Sequence, residues 1–121
     1  MTNASLTNEQ AGADGWTVIC RVDDIVPDTG VCARVDDAQV AVFRLRGDTL
    51  HAIDNIDPES GAAVLSRGLV GSLGERVVVA SPIHKQHYDL QTGECLETTD
   101  YRVRTWQVRR DGDAVLVRRG A

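Results

Sequence analysis

From Trp16 onward the chain is a succession of short β-rich runs broken by turn residues. That punctuation points to an antiparallel all-β fold. Trp16-Thr17-Val18-Ile19-Cys20 comes first, and residues 22–30 turn away through Pro27, Asp28 and Gly30. Val31-Cys32-Ala33-Arg34-Val35 alternates apolar and polar side chains up to the Asp36-Asp37 turn. Runs at 39–45 and 49–53 are joined by Arg46-Gly47-Asp48, which reads as a hairpin. Arg76-Val77-Val78-Val79-Ala80 is an apolar strand, and runs at 86–90 and 101–109 follow it. In the last of these Tyr101, Val103, Thr105 and Gln107 share one side, while Arg102, Arg104, Trp106 and Val108 share the other. Asp111-Gly112 is a strong hairpin signal, after which Ala114-Val115-Leu116-Val117-Arg118 closes the sheet. The middle differs. Residues 61–68 read as one short helical turn stopped by Gly68, and Gly71, Ser72 and Gly74 mark a loop, so 54–74 is a loop-rich excursion. The fold predicted is an antiparallel sandwich or partly open barrel over residues 16–119. Polar residues 1–15 are expected to form a disordered or loosely attached arm.

Composition narrows the function classes. With 121 residues, one domain with a sizeable core is expected. A net charge of −5 argues against a nucleic-acid surface. No apolar run approaches the ~18 residues a membrane helix needs, and the first ten residues lack the basic and apolar regions of a secretory signal. A cytoplasmic protein is the resulting expectation. Cys20, Cys32 and Cys95 are odd in number and far apart, with no Cys-x-x-Cys spacing. They read as three reduced, mostly buried thiols rather than a metal site or a disulfide framework.

Few residues suggest chemistry of their own. His84 and His87 are three apart, but Pro82 and the β-rich context place them on a loop entering a strand, where they face opposite sides. A metal- or ligand-binding module using His84, His87 and Asp57 is one reading; a hydrogen-bonded loop histidine is the plainer one. Asp54, Asp57 and Glu59 surround Pro58 in a spacing that matches no calcium loop. Asp57 is expected to brace the turn, and Asn55 suits a turn because it tolerates left-handed backbone angles. The glycines at 68, 71 and 74 lack the lysine and the strand-to-helix setting of a phosphate loop. Arg109-Arg110 and Arg118-Arg119 read as strand-edge charge.

Two segments carry a resemblance. Ala80-Ser81-Pro82-Ile83-His84-Lys85-Gln86-His87-Tyr88-Asp89-Leu90-Gln91-Thr92-Gly93-Glu94 resembles the second ligand loop of a Rieske protein, Cys-Pro-x-His followed by a Thr-Gly-Glu hairpin. Ile53-Asp54-Asn55-Ile56-Asp57-Pro58 sits where that family's first loop carries Cys-x-His. The cysteine positions then hold Asn55 and Ser81, and the first histidine position holds Asp57; His84 remains. Within the Rieske-like group the chain most resembles the small subunit of assimilatory NAD(P)H-dependent nitrite reductase. The similarity runs through Asp57-Pro58-Glu59-Ser60-Gly61, Val64-Leu65-Ser66-Arg67-Gly68-Leu69-Val70-Gly71 and Leu90-Gln91-Thr92-Gly93-Glu94-Cys95-Leu96. The resemblance implies a Rieske-like fold without a cluster in this chain. It also implies a partner, the nitrite reductase large subunit, which carries FAD, sirohaem and an iron–sulfur cluster and reduces nitrite to ammonia. By that analogy the chain is not active alone. Its two loops would become a docking surface presenting Arg67, His84, Lys85 and Gln86, with Asn55, Asp57, Ser81 and His84 packed against one another in place of the cluster. A freestanding Rieske-type ferredoxin or oxygenase electron-transfer component is the alternative.

Overall fold

The structure is a computed structural model that describes residues 15–120. The nine strands are β1 (Thr17–Arg21), β2 (Thr29–Val35), β3 (Ala38–Arg44), β4 (Leu50–Asp54), β5 (Leu69–Leu73), β6 (Arg76–Ala80), β7 (His87–Asp89), β8 (Thr105–Asp111) and β9 (Ala114–Arg119). Short 3-10 turns occur at Val22–Asp24 and Leu65–Arg67. All strand pairings are antiparallel. Six strands run in the order β1-β9-β8-β4-β3-β2 in a nearly closed, barrel-like sheet, and β5-β6-β7 form a smaller one. The all-β reading therefore holds. Of the expected arm only Gly15 falls among the described residues.

Strand β3 shows why the two sheets pack as they do. Val40, Ala41, Val42 and Phe43 are all fully buried. Period-2 alternation sends Val40 and Val42 into a barrel core with Ile25, Ala52, Trp106, Val115 and Val117. It sends Ala41 and Phe43 the other way, against Ile53, Leu65, Val79, Tyr88, Leu90 and Val103, where the small sheet lies. Each buried Val, Ile, Leu or Phe among them contributes about 1.5–3 kcal/mol, so β3 anchors both halves.

Two expectations need correction. Residues 69–73 are a strand, not a loop: Gly71 pairs with Val78 and Ser72 with Val77, and only Gly74-Glu75 turn. Glycine and serine read as breakers in isolation, but the β6 ladder supplies the hydrogen bonds that hold them extended. Residues 101–104 are not strand. Arg102 makes one isolated bridge with Glu94, Val103 N–H donates to Gly93 O at 2.9 Å, and Arg104 O accepts from Asp54 N at 2.9 Å. Their bonds are shared between two loops rather than one ladder. Gly68 ends the short helical turn as expected, at φ −72°. It is glycine because a Cβ there would lie 2.6 Å from Val79 Cγ2 and closer still to the Ala80 carbonyl.

Candidate functional site

The two loops singled out in the sequence leave the ends of β4 and β6 and meet. The first is shaped by Asp57 N–H donating to Ala62 O at 2.8 Å and Gly61 N–H donating to Asp57 O at 2.7 Å. In the second, Lys85 N–H donates to Ser81 O at 3.0 Å and Ser81 N–H to Gln86 O at 2.8 Å. This tight turn puts Lys85 at φ 65°, a left-handed conformation that disfavours side chains with a Cβ.

Between the loops lies a polar cluster. Ser81 Oγ donates to Asp57 Oδ2 at 2.6 Å, both residues being essentially solvent-free. Glu59 N–H donates to Asp57 Oδ1 at 2.9 Å, and the hydroxyl of Tyr88 stands 3.5 Å from the same oxygen. Burial works to raise the Asp57 pKa, but the donors from Ser81, Glu59 and Ser60 outweigh it and hold the carboxyl below its ordinary value. The Tyr88 phenol is pushed up, by burial first and the Asp57 charge second. Asp57 thus braces the turn as expected, and also ties the loops together. Beside it Glu59 accepts from Gln86 Nε2 and pairs with His84 Nδ1 at 3.2 Å.

The four mapped positions do not converge on one point. Asp57 and Ser81 meet directly, while His84 reaches the cluster only through Glu59. Asn55 bonds elsewhere: its Nδ2 donates to Cys32 Sγ at 3.3 Å, and its Oδ1 accepts from Ser66 N–H at 2.7 Å. Asn55 is also absent from the left-handed residues. Its side chain, not its backbone angle, is what the fold uses. Two further expectations change. Gln86 is only 8% exposed, with its Oε1 buried and unpartnered, so it cannot be part of an outward docking surface. Cys32 is exposed rather than buried. His84 and His87 are separated as expected, the latter pairing with Glu97 at 2.6 Å.

A Rieske centre needs two thiolates on one iron and two imidazoles on the other. The loops offer an amide, a carboxylate, a hydroxyl and one imidazole, and the Asp57–Ser81 hydrogen bond closes the gap between them. The residues present do not fit the cluster. Among the described residues no three His, Cys, Asp or Glu side chains are grouped to hold a metal ion. Sequence reasoning missed Glu59 as the acceptor of two donors, and Tyr88 and Cys32 as neighbours of the lost-ligand positions. The acidic residues around Pro58 were the available signal for the first; nothing local signalled Cys32, which lies 23 residues from Asn55.

The rim of this cluster is exposed, basic and apolar. Arg67 and Lys85 are exposed and have no carboxylate partner among the described residues. Leu69 is 80% exposed and Ile83 44%.

Comparison with known proteins accounts for the fold. Residues 15–118 match the Rieske-like [2Fe-2S] domain family. The nitrite reductase (NADH) small subunit of Escherichia coli K12 is 46% identical over 99 residues, spanning 80% of this chain and 92% of that one. A crystal structure from Mycobacterium tuberculosis, of a protein described as an NADH-dependent nitrite reductase small subunit, aligns with a TM-score of 0.83. It is 44% identical, and the alignment covers 88% of this chain and 96% of that one. A Klebsiella oxytoca protein named nitrite reductase [NAD(P)H] large subunit is 40% identical over 102 residues, 84% of this chain but only 11% of its own length. The chain belongs to the Rieske-like [2Fe-2S] domain family and, within it, groups with the small subunits of NADH-dependent nitrite reductase.

Proposed function

We propose that this chain is the non-catalytic small subunit of a cytoplasmic, nitrate-assimilating nitrite reductase, docking on a large subunit that reduces nitrite to ammonia with NAD(P)H. The observation that carries the reading is 46% identity over nearly the whole length of a named small subunit. The Klebsiella oxytoca protein adds support, because there a stretch similar to this chain lies within a polypeptide named as the large subunit. FAD, sirohaem and an iron–sulfur cluster belong to the large subunit, and none to this chain. The polar cluster at Asp57 and Ser81 supports that division, since it occupies the space between the loops with hydrogen bonds. Three free cysteines are in keeping with a reducing compartment, and no helix among the described residues is long and apolar enough to cross a membrane.

The docking surface is the loop rim, with Arg67, His84 and Lys85 at its centre and Gln86 supporting them from beneath. Co-expression with the large subunit followed by size-exclusion chromatography tests the pairing; separate elution at micromolar concentration would sink it. Changing Arg67→Glu and Lys85→Glu together places two like charges at the contact, with an expected cost of several kcal/mol of affinity. Thermal stability should hold, while co-purification and nitrite-dependent NAD(P)H oxidation fall. Stoichiometric iron and acid-labile sulfide in the anaerobically purified chain would overturn the assignment of all cofactors to the partner.

A further inference from the structure

The chain's basic residues are unevenly placed. Residues 102–121 hold six arginines against two aspartates, a formal +4, while residues 1–101 hold seven basic against sixteen acidic residues, a formal −9. Half of these arginines are engaged elsewhere: Arg109 and Arg118 each stack on Trp16 at 4.6 Å, and Arg110 pairs with Asp48 and Asp113. Three that remain, Arg102, Arg104 and Arg119, line one cleft of about 340 Å³ together with the hydroxyl-bearing Thr92 and Thr105 and the ring of Trp106. Among the described residues no carboxylate lines it.

The guanidinium groups are held in place. Arg104 and Arg119 lie over the Trp106 ring at 5.9 and 5.1 Å, and the Trp106 indole N–H is itself anchored to Asp54 Oδ1 at 2.8 Å. Arg102 donates to Thr92 O at 3.2 Å. Arg104 pairs with Asp54 at 3.1 Å. Glu94, whose carboxyl the Thr92 hydroxyl and Arg76 hold below its ordinary value, lies near enough to Arg102 for that charge to help. An arginine stacked on an aromatic ring keeps its N–H edge free and has less freedom to lose on forming a two-point hydrogen bond, so such a cleft suits carboxylates or phosphates. The charged donors in the lining are arginine side chains. Among the described residues the lining holds a single glycine, Gly120, and so no glycine-rich turn whose successive backbone N–H groups cradle phosphate, which favours carboxylate. The cleft also lies at the end of the large sheet from which the first loop emerges, because β4 and β8 are antiparallel and Arg104 O accepts from Asp54 N. It therefore lies at the base of the first loop, whose far side carries the cluster beneath the proposed docking rim.

We infer that the cleft formed by Arg102, Arg104 and Arg119 is a second contact that receives Asp or Glu side chains from an acidic segment of the large subunit. The inference rests on the proposed pairing and adds a site and a chemistry to it. The test uses the full chain and purified large subunit, with Kd and association rate measured at several salt concentrations. The variants are Arg102→Glu with Arg119→Glu, and the milder Arg102→Gln with Arg119→Gln, each checked for an unchanged circular dichroism spectrum. Arg104 is left alone because it braces Asp54. The Glu pair should weaken binding by at least tenfold at low salt, the Gln pair by less, and both should flatten the salt dependence. If the unaltered chain fails to bind, the pairing itself is wrong. If the unaltered chain binds and both folded variants match it, the pairing stands and the cleft has no part in it. Saturable, micromolar binding of inorganic pyrophosphate to the free chain, lost in the Gln pair, would overturn the carboxylate assignment in favour of a phosphate ligand.

Discussion

Asp57 is a carboxylate with no exposed surface, which destabilises a fold unless donors surround it. Here Ser81 and the backbone N–H of Glu59 supply them at 2.6 and 2.9 Å. Ser81→Ala removes one donor and leaves a buried oxygen short of a partner, so unfolding in urea should show a loss of about 1–3 kcal/mol with unchanged m. The pH dependence follows from the depressed pKa. A carboxyl that titrates lower in the folded than in the unfolded chain stabilises the fold above its unfolded value of about 3.9. That contribution is lost as the pH falls through the lower folded value. Asp57→Asn mimics the protonated form, so the stability gap between it and the unaltered chain should be full near pH 6 and shrink below about pH 4. A gap that does not change with pH would show that the negative charge of Asp57 is not what stabilises the loops. The positions of Asp57 and Ser81 were legible because the flanking Pro, His and Thr-Gly-Glu residues fix the alignment. The partner of Asn55 was not, since a thiol on β2 becomes its neighbour only after the barrel closes.

Strands were legible where β-branched runs alternate or where Asp-Gly and Gly-Asp turns join them, as in β3, β4, β8 and β9. Legibility failed where tertiary pairing decides. Residues 69–73 contain a glycine and a serine yet form an edge strand, and 101–104 alternate like a strand yet hydrogen-bond to two loops. The hairpin after β7 shows the same dependence. Asp89 Oδ1 accepts from Gln91 and Thr92 N–H at 2.7 and 2.9 Å, while Oδ2 takes Arg76 Nε at 2.6 Å. Gly93 closes the turn at φ +82°, and any Cβ there would collide with the Val103 carbonyl. Gly93→Ala therefore adds a steric clash to an unfavourable backbone angle. We expect a loss of about 3 kcal/mol or more, seen as a clearly lowered Tm. Gly68→Ala should behave alike for a different reason: its φ of −72° suits alanine, so only the contact with Val79 and Ala80 is at stake. Trimming Val79→Ala in the Gly68→Ala background should recover part of the Gly68→Ala loss but none of the Gly93→Ala loss.

Taken whole, the molecule is a Rieske-like domain whose two loops are tied together by hydrogen bonds, and whose last twenty residues carry a formal +4. Such a domain makes sense as something held by a partner, and the Klebsiella oxytoca protein suggests how to test that without knowing the interface. There a stretch 40% identical to this chain occupies 11% of a polypeptide named as the large subunit. Joining this chain to its large subunit through a flexible Gly/Ser linker just long enough to span the two turns docking into an intramolecular step, with an effective concentration in the millimolar range. A docking variant weakened tenfold or more as separate subunits should then recover, because millimolar effective concentration exceeds its Kd. Nitrite-dependent NAD(P)H oxidation at nanomolar enzyme is the measurement. The Arg67→Glu and Lys85→Glu pair should be nearly inactive when mixed and close to the unaltered level when fused. Failure to recover in a fused protein that remains folded would mean that these residues act after docking, on the large subunit's own turnover, rather than in holding the two together.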